Sequence, residues 1–97
     1  MKRKIHLSVR AEKDLLDIWQ YTFAHWDETQ ADKYVDELDQ SIQLLADNSE
    51  MGTSRSYFRK GYRVLFINRH AVYYTVRGST VRIVRVLHGQ MDPEQHL

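Results

Sequence analysis

The sequence predicts an α+β domain in which a helical hairpin packs on one face of a small, mainly antiparallel sheet, in the order β-α-α-β-β-β. Apolar residues recur at helical spacing through residues 11–26 and 29–46. Runs rich in β-branched and aromatic residues then fill most of residues 62–88, separated only by short turns, which is typical of an antiparallel meander. We expect one domain over residues 1–97, with the second face of the sheet open.

The two helices are predicted from their caps and their apolar stripes. Ser8 is a plausible N-cap for a first helix over residues 11–26. Thr29 and Asp32 have the spacing of a capping box, which predicts a second helix running to about Ala46. The connection between the helices is short, so they are expected to form an antiparallel hairpin.

The strands are predicted at residues 5–7, 62–67, 71–76 and 81–88, with a short edge strand inside 55–60. The last strand carries apolar residues on both of its faces, which indicates a position in the middle of the sheet. It also carries Arg85, whose guanidinium needs either a partner or a path to the surface.

Charge is divided along the chain. Residues 1–50 hold 6 Lys and Arg against 11 Asp and Glu, whereas residues 51–97 hold 8 against 2. The basic half favours an anionic partner, which is either nucleic acid or an acidic protein segment.

Several classes of protein are excluded or disfavoured. The chain has no cysteine, which excludes a disulfide scaffold and a thiolate metal site. The five histidines are scattered and no Gly-rich phosphate loop is present, so we expect no metal and no cofactor. The basic start is followed by too short an apolar run for a signal peptide, and no run approaches transmembrane length. A cytoplasmic protein is expected.

The first predicted helix carries more apolar surface than one neighbour usually covers. Leu16, Trp19, Phe23 and Trp26 form a stripe beside the one that faces the core. One interpretation is a large core with one or two half-exposed aromatic residues, and the other is a surface for a partner helix.

One constellation suggests catalysis. Arg63, Arg85 and His88, with Tyr73 or Tyr74, could share the open sheet face, where arginines stabilise phosphate charge and a histidine moves a proton. That set would suffice for metal-free RNA cleavage. The alternative is structural: a paired Arg85, and a His88 that caps the strand or contacts a partner.

The run from Arg85 to Asp92, Arg-Val-Leu-His-Gly-Gln-Met-Asp, resembles the C-terminal signature of ParE toxins, in the RelE/ParE superfamily of bacterial toxin–antitoxin systems. Leu7-Ser8 with the following Ala11, Asp14-Leu15 and Ile18-Trp19-Gln20-Tyr21 is similar to the first helix of that family. Gly61-Tyr62-Arg63 and Val72-Tyr73-Tyr74 are similar to its strand motifs, so the resemblance covers nearly the whole chain.

The resemblance implies a growth-arresting toxin that binds DNA gyrase and blocks replication without being an enzyme. RelE-like members instead cut mRNA on the ribosome, which is the alternative function. RelE-like members carry a lysine pair before the Gly-Tyr-Arg motif and a tyrosine in the C-terminal tail. Here Tyr57-Phe58-Arg59-Lys60 stands in place of the lysine pair, and residues 92–97 contain no tyrosine. If cleavage occurred, Arg63, Arg85, His88 and His96 would be the candidate residues. A third possibility is a relative that has lost toxicity and only binds an antitoxin.

The resemblance also implies a hetero-oligomer with a ParD-like antitoxin, whose extended part wraps the toxin. No sequence-specific nucleic acid binding and no membrane association are expected. The apolar and basic surfaces found above are assigned to the antitoxin, and the C-terminal residues to the target. The expected antitoxin-binding residues are Leu16, Trp19, Phe23, Trp26, Arg59, Arg63, Tyr73 and Arg85, and the expected target-binding residues are His88, Met91, Asp92 and His96.

Overall fold

The computed structural model describes residues 2–97, so Met1 lies outside the described residues. Five strands form one sheet in the order β1-β5-β4-β3-β2, with β1 and β5 parallel and the other pairs antiparallel. The two long helices pack on one face, which confirms the predicted α+β fold. The elements are β1 Lys4–Leu7, α1 Val9–His25, α2 Glu28–Leu44, β2 Thr53–Ser54, β3 Arg63–Ile67, β4 His70–Arg77, β5 Thr80–His88 and α3 Pro93–His96.

Strand β5 lies between β1 and β4, as its apolar residues on both faces predict. Its pairing with β1 extends only as far as Ile83, because the chain leaves the sheet at Ser8 to begin α1. Ser8 covers the next part of this edge: its N–H donates to the Ile83 carbonyl at 3.0 Å and its hydroxyl donates to the Val84 carbonyl at 2.7 Å. The backbone of β5 beyond β1 is therefore satisfied by α1 and its cap.

The predicted cap of α1 is confirmed, and that of α2 is wrong. The Ser8 hydroxyl accepts from the Ala11 N–H at 3.0 Å. At the second helix Asp27 has extended backbone and its carboxylate accepts from the Gln30 N–H at 2.8 Å, so the helix begins before Thr29. Asp27 and Thr29 are both suitable N-cap residues. Asp27 is the N-cap because its carboxylate satisfies the free Gln30 N–H in the first turn of the helix.

The predicted edge strand inside residues 55–60 is also wrong, because β2 comprises only Thr53–Ser54. Local turn hydrogen bonds take up the backbone groups that a strand would use. The Arg59 N–H donates to the Arg55 carbonyl at 3.0 Å, and the Tyr62 N–H donates to the Arg59 carbonyl at 3.0 Å. Gly61, at φ 81°, completes this turn in a conformation that favours glycine.

The core lies between the helical hairpin and the sheet, and Tyr74 links it to the loop that follows α2. The Tyr74 hydroxyl donates to the Ser49 carbonyl at 2.8 Å and accepts from the Gly52 N–H at 2.9 Å. Both bonds are buried, so they hold the 47–52 loop against the end of the sheet. The buried residues of this core include Ala11, Leu38, Ile42, Leu45, Ile67, Val72, Tyr74, Val81, Ile83 and Val86.

The second face of the sheet is only partly open, which corrects the expectation that it is bare. Val64, Ala71, Tyr73 and Leu87 form a second buried cluster, and Leu97 packs against it. The C-terminal segment therefore folds back over this face. None of the helices within residues 2–97 combines the length and apolar character that crossing a bilayer requires.

Candidate functional site

An open groove of about 800 Å³ lies where the C-terminal half of α1 and the start of α2 meet the ends of β4 and β5. We call it the hairpin groove. Its walls are largely apolar, with aromatic residues at the rim and charged groups at both ends. It is lined by Asp14, Asp17, Ile18, Tyr21, Thr22, Trp26, Gln30, Tyr34, Arg69, His70, Arg85, Val86, Leu87, His88 and Met91.

Two histidines and an arginine form one end of this groove, which we call the histidine end: Arg69, His70 and His88. His70 and His88 face each other across the β4–β5 pairing with ring centroids 5.5 Å apart. The Tyr34 hydroxyl lies 2.7 Å from Nδ1 of His70. Burial and, to a smaller extent, the neighbouring His88 lower the pKa of His70 to about 4, so this imidazole is neutral at neutral pH.

An ion pair forms another wall of the groove. Arg85 donates from Nε and Nη2 to the two carboxylate oxygens of Asp14, at 2.7 and 2.8 Å. The same carboxylate accepts from the Val86 N–H at 2.9 Å, where β5 has run past the end of β1. This hydrogen bond to Asp14 raises the pKa of Arg85, and the two side chains are only 11% and 12% exposed. Arg85 is thus a structural residue that joins α1 to β5.

The C-terminal tail, residues 92–97, is held by two arginines on the second sheet face. Arg85 donates from Nη1 to the His96 carbonyl at 2.7 Å, and Arg59 donates from Nη2 to the Leu97 carbonyl at 2.8 Å. Asp92 caps the short α3 by accepting from the Glu94 N–H at 3.0 Å. These contacts bury Tyr73, which was expected to be available to a partner.

The outer face of α1 is apolar and uncovered along residues 2–97. Leu16 is 54% exposed, Phe23 49% and Trp26 67%. Trp19 is half-buried, stacks on Phe23 at 5.3 Å, and donates from its indole N–H to the Asp32 carboxylate at 2.9 Å. The neighbouring stripe, including Leu15 and Ile18, packs on the core. Two aromatic side chains of this stripe, Phe23 and Trp26, are thus exposed together with Leu16, a number that fits both interpretations.

The predicted catalytic constellation does not assemble. Arg63 stands opposite Tyr74 in the sheet and donates to the Gly52 carbonyl at 2.7 and 3.1 Å, whereas Arg85 stands opposite Tyr73 on the other face. His88 pairs with His70, four residues along β4 from Tyr74, which is about 13 Å at 3.3 Å per residue. The expectation that these side chains share one open face is wrong because neighbouring residues of a strand point to opposite faces.

Sequence reasoning did not predict a functional role for the polar residues Asp14, Tyr34, Arg69 and His70, which all line the groove. The signal for His70 was available, since it and His88 stand at matching ends of two strands joined as a hairpin. The predicted strand started one residue too late to include His70. Tyr34 lies inside the second predicted helix without a distinguishing pattern, and the partner of Arg85 required knowing how α1 crosses β5. Within residues 2–97, no group of three or more His, Cys, Asp or Glu side chains is placed to hold a metal ion.

Comparison with known proteins gives a consistent relationship. A family model described as ParE toxin of type II toxin-antitoxin system, parDE, matches residues 5–93. The chain is 42% identical over 91 residues to Toxin ParE1 of Caulobacter vibrioides, covering 94% of each chain. It is 37% identical over 98 aligned positions to Toxin ParE1 of Mycobacterium tuberculosis, covering 100% of each chain.

Two solved structures share the fold. One, titled as the chromosomal ParDE TA system from P. aeruginosa, superposes with a TM-score of 0.80 at 19% identity, covering 90% of this chain and 96% of that chain. The other, the E. coli DinJ-YafQ toxin-antitoxin complex, gives a TM-score of 0.59 at 19% identity, covering 91% and 93%. With the family match and the close relatives over nearly the full length, the chain belongs to the ParE toxin family of type II toxin–antitoxin systems.

Proposed function

We propose that this toxin arrests growth by binding DNA gyrase and trapping it on cleaved DNA, rather than by cutting RNA. The observation that carries the proposal is that the two candidate nuclease arginines are held apart. Arg63 is hydrogen-bonded to loop carbonyls and Arg85 to a carboxylate, on opposite faces of the sheet. An arginine held in this way has few donors left for a scissile phosphate. The family relationship supports a toxin whose groups bind rather than react.

The test is a supercoiling and cleavage assay with purified gyrase, relaxed plasmid, ATP and the free toxin. We expect linear DNA covalently linked to gyrase to accumulate with toxin concentration. Replacing Met91 or His88 by alanine is expected to weaken the effect, because both are assigned to the target surface, whereas Tyr57→Ser is the matched control at a side chain that is 85% exposed. Unchanged gyrase activity at excess toxin, with mRNA cut on translating ribosomes, would show the nuclease function instead.

We further propose that a ParD-like antitoxin neutralises the toxin by covering the outer face of α1 and the adjoining hairpin groove. Leu16, Phe23 and Trp26 are large, apolar and exposed on one helix. Covering one such side chain contributes about 1.5–3 kcal/mol, so a partner that buries all three gains substantially. The titles of the two structural neighbours name toxin–antitoxin systems, which supports a partner of this kind.

This partner surface is tested with the double variant Leu16→Ser and Phe23→Ser in co-purification with the antitoxin. We expect loss of the complex while the variant stays folded and toxic, because neither side chain is in the core. The control is Leu44→Ser, an apolar side chain of α2 that is 57% exposed and does not line the hairpin groove. An unaltered complex for the double variant would contradict the assignment.

A further inference from the structure

We propose that the histidine end of the hairpin groove binds a carboxylate side chain carried on an apolar segment of the antitoxin, and that the carboxylate enters together with a proton. The inference rests on the proposed neutralisation by an antitoxin. It adds a binding subsite, formed by Arg69, His70 and His88, and a pH dependence of the association.

The shape of the groove favours a peptide with both apolar and acidic side chains. Ile18, Trp26, Val86 and Met91 line it and would cover apolar side chains. The histidine end offers polar groups at one place only, where β4 begins and β5 ends. A nucleic acid strand needs phosphate contacts spaced along its length, which an apolar groove with acidic residues on its far wall does not provide.

The charges around the histidine end leave a site for one anion. On the α1 wall the Asp14 charge is paired with Arg85 on β5, and that of Asp17 with Lys13 at 2.9 Å. Within residues 2–97, Arg69 makes no ion pair. On α2, Tyr34 contacts His70, and Glu37 accepts from the side chain of Asn68 at 3.4 Å. Among the described residues Arg69 is thus an unpaired cation that lines the same end of the groove as the neutral imidazole of His70.

The two imidazoles explain why a proton accompanies the anion. The Gln90 N–H donates to Nδ1 of His88 at 3.2 Å, which leaves Nε2 of His88 free to donate. His70 stays neutral in the free protein because burial and its neighbour oppose a second charge. A carboxylate beside the rings opposes both effects, because its negative charge attracts the imidazolium and offsets the repulsion between two protonated rings. Binding therefore draws a proton onto the pair.

The test is a histidine-resolved NMR titration of the full chain with a synthetic peptide, Ac-Leu-Glu-Leu-Phe-amide, and with its Gln counterpart. We expect the Glu peptide to increase the protonated fraction of His70 at pH 6 by about tenfold, which corresponds to a rise of about one unit in the pKa of His70. The Gln peptide is expected to leave that fraction unchanged. In His70→Gln the Glu peptide is expected to bind no more tightly than the Gln peptide. In His6→Gln, at an exposed position on β1, the Glu peptide is expected to bind more tightly, as in the native chain. His88→Gln provides a second variant if His70→Gln does not fold.

Equal responses to the two peptides, or none, would overturn the carboxylate site. A larger response to inorganic phosphate or to an RNA oligonucleotide than to the Glu peptide would overturn it in favour of a nucleic acid site. With the intact antitoxin, proton uptake measured by calorimetry in two buffers at pH 5, between the free and the raised pKa of His70, is expected to fall in His70→Gln and to persist in His6→Gln. The NMR titration contains neither gyrase nor antitoxin. Its failure therefore leaves the proposed target and partner standing, and a negative gyrase assay leaves the site standing.

Discussion

Arg85 and Asp14 show how one ion pair at the residue scale satisfies several structural needs. The pair closes the uncovered edge of β5 through the Val86 N–H, joins α1 to the sheet, and holds the His96 carbonyl of the tail. Removing one partner leaves the other as a nearly buried charge, which is far more costly than the pair is stabilising.

We therefore predict that Asp14→Ala lowers the free energy of unfolding by about 3 kcal/mol, measured by urea denaturation. The control is Asp17→Ala, which breaks the Lys13 pair on the same helix, where both side chains are more than half exposed. That change is expected to cost less than about 1 kcal/mol because water screens the pair. Similar costs for the two variants would show that the Arg85 pair is not a structural link.

The neutral state of His70 makes stability depend on pH. Its pKa is about 4 in the folded protein against 6.5 as the ordinary value. Between these values the unfolded chain binds a proton that the folded chain excludes, so stability is full above about pH 6.5 and falls as the pH falls towards 4. We predict that Tm falls between pH 7 and pH 5, and falls less in His70→Gln than in His6→Gln. An identical decrease in both variants would contradict a neutral, half-buried His70.

At the scale of elements, the loop after α2 depends on side chains of the sheet. Tyr74 holds it through Ser49 and Gly52, and Arg63 holds it through the Glu50 and Gly52 carbonyls. Gly52 has no room for a side chain, since an added Cβ would lie 2.6 Å from the Tyr74 hydroxyl oxygen. The sheet thus sets the path of a segment that contains only a two-residue strand.

We predict that Tyr74→Phe lowers the free energy of unfolding by about 2 kcal/mol, because it leaves the Gly52 N–H and the Ser49 carbonyl buried without partners. Faster hydrogen exchange of the Gly52 amide should accompany the change. Tyr57→Phe is the control, since that side chain is 85% exposed. Unchanged exchange at Gly52 in Tyr74→Phe would show that the hydroxyl does not hold the loop.

Much of the architecture could be predicted because local patterns determine it. The Ser8 cap, the stripes of both helices and the apolar residues on both faces of β5 each depend on neighbours in sequence. The Asp27 cap and the turns at 55–62 were missed because several local hydrogen-bonding patterns compete there. The tail on the second face could not be predicted, since it depends on Arg59 and Arg85 reaching distant carbonyls. The same contacts bring the tail over part of the face that was expected to be open.

The whole molecule combines an acidic helical hairpin, a basic sheet and an uncovered apolar helix face. Residues 11–50 carry 11 acidic and 2 basic side chains, whereas residues 51–91 carry 8 basic and no acidic ones. Such an arrangement favours a complex with a partner over a free monomer, because exposed apolar surface beside opposite charges promotes association.

We predict that the free toxin self-associates at high concentration and that Leu16→Ser with Phe23→Ser restores a monomer. Light scattering coupled to size exclusion measures both. The variant should keep its Tm, because both side chains are exposed. A native chain that remains monomeric at high concentration would show that the outer face of α1 does not cause self-association.

The pairing of β1 with β5 has a consequence for synthesis. Lys4 has its sheet partner at Thr80, so β1 has no neighbour until nearly the whole chain has left the ribosome. Contacts between such distant segments form late, because closing a long loop must precede them. A polypeptide released early by aborted translation lacks β5 and therefore lacks the strand that joins β1 to the rest of the sheet. A chain interrupted before β5 therefore cannot form the five-stranded sheet on which the groove and its ion pair depend.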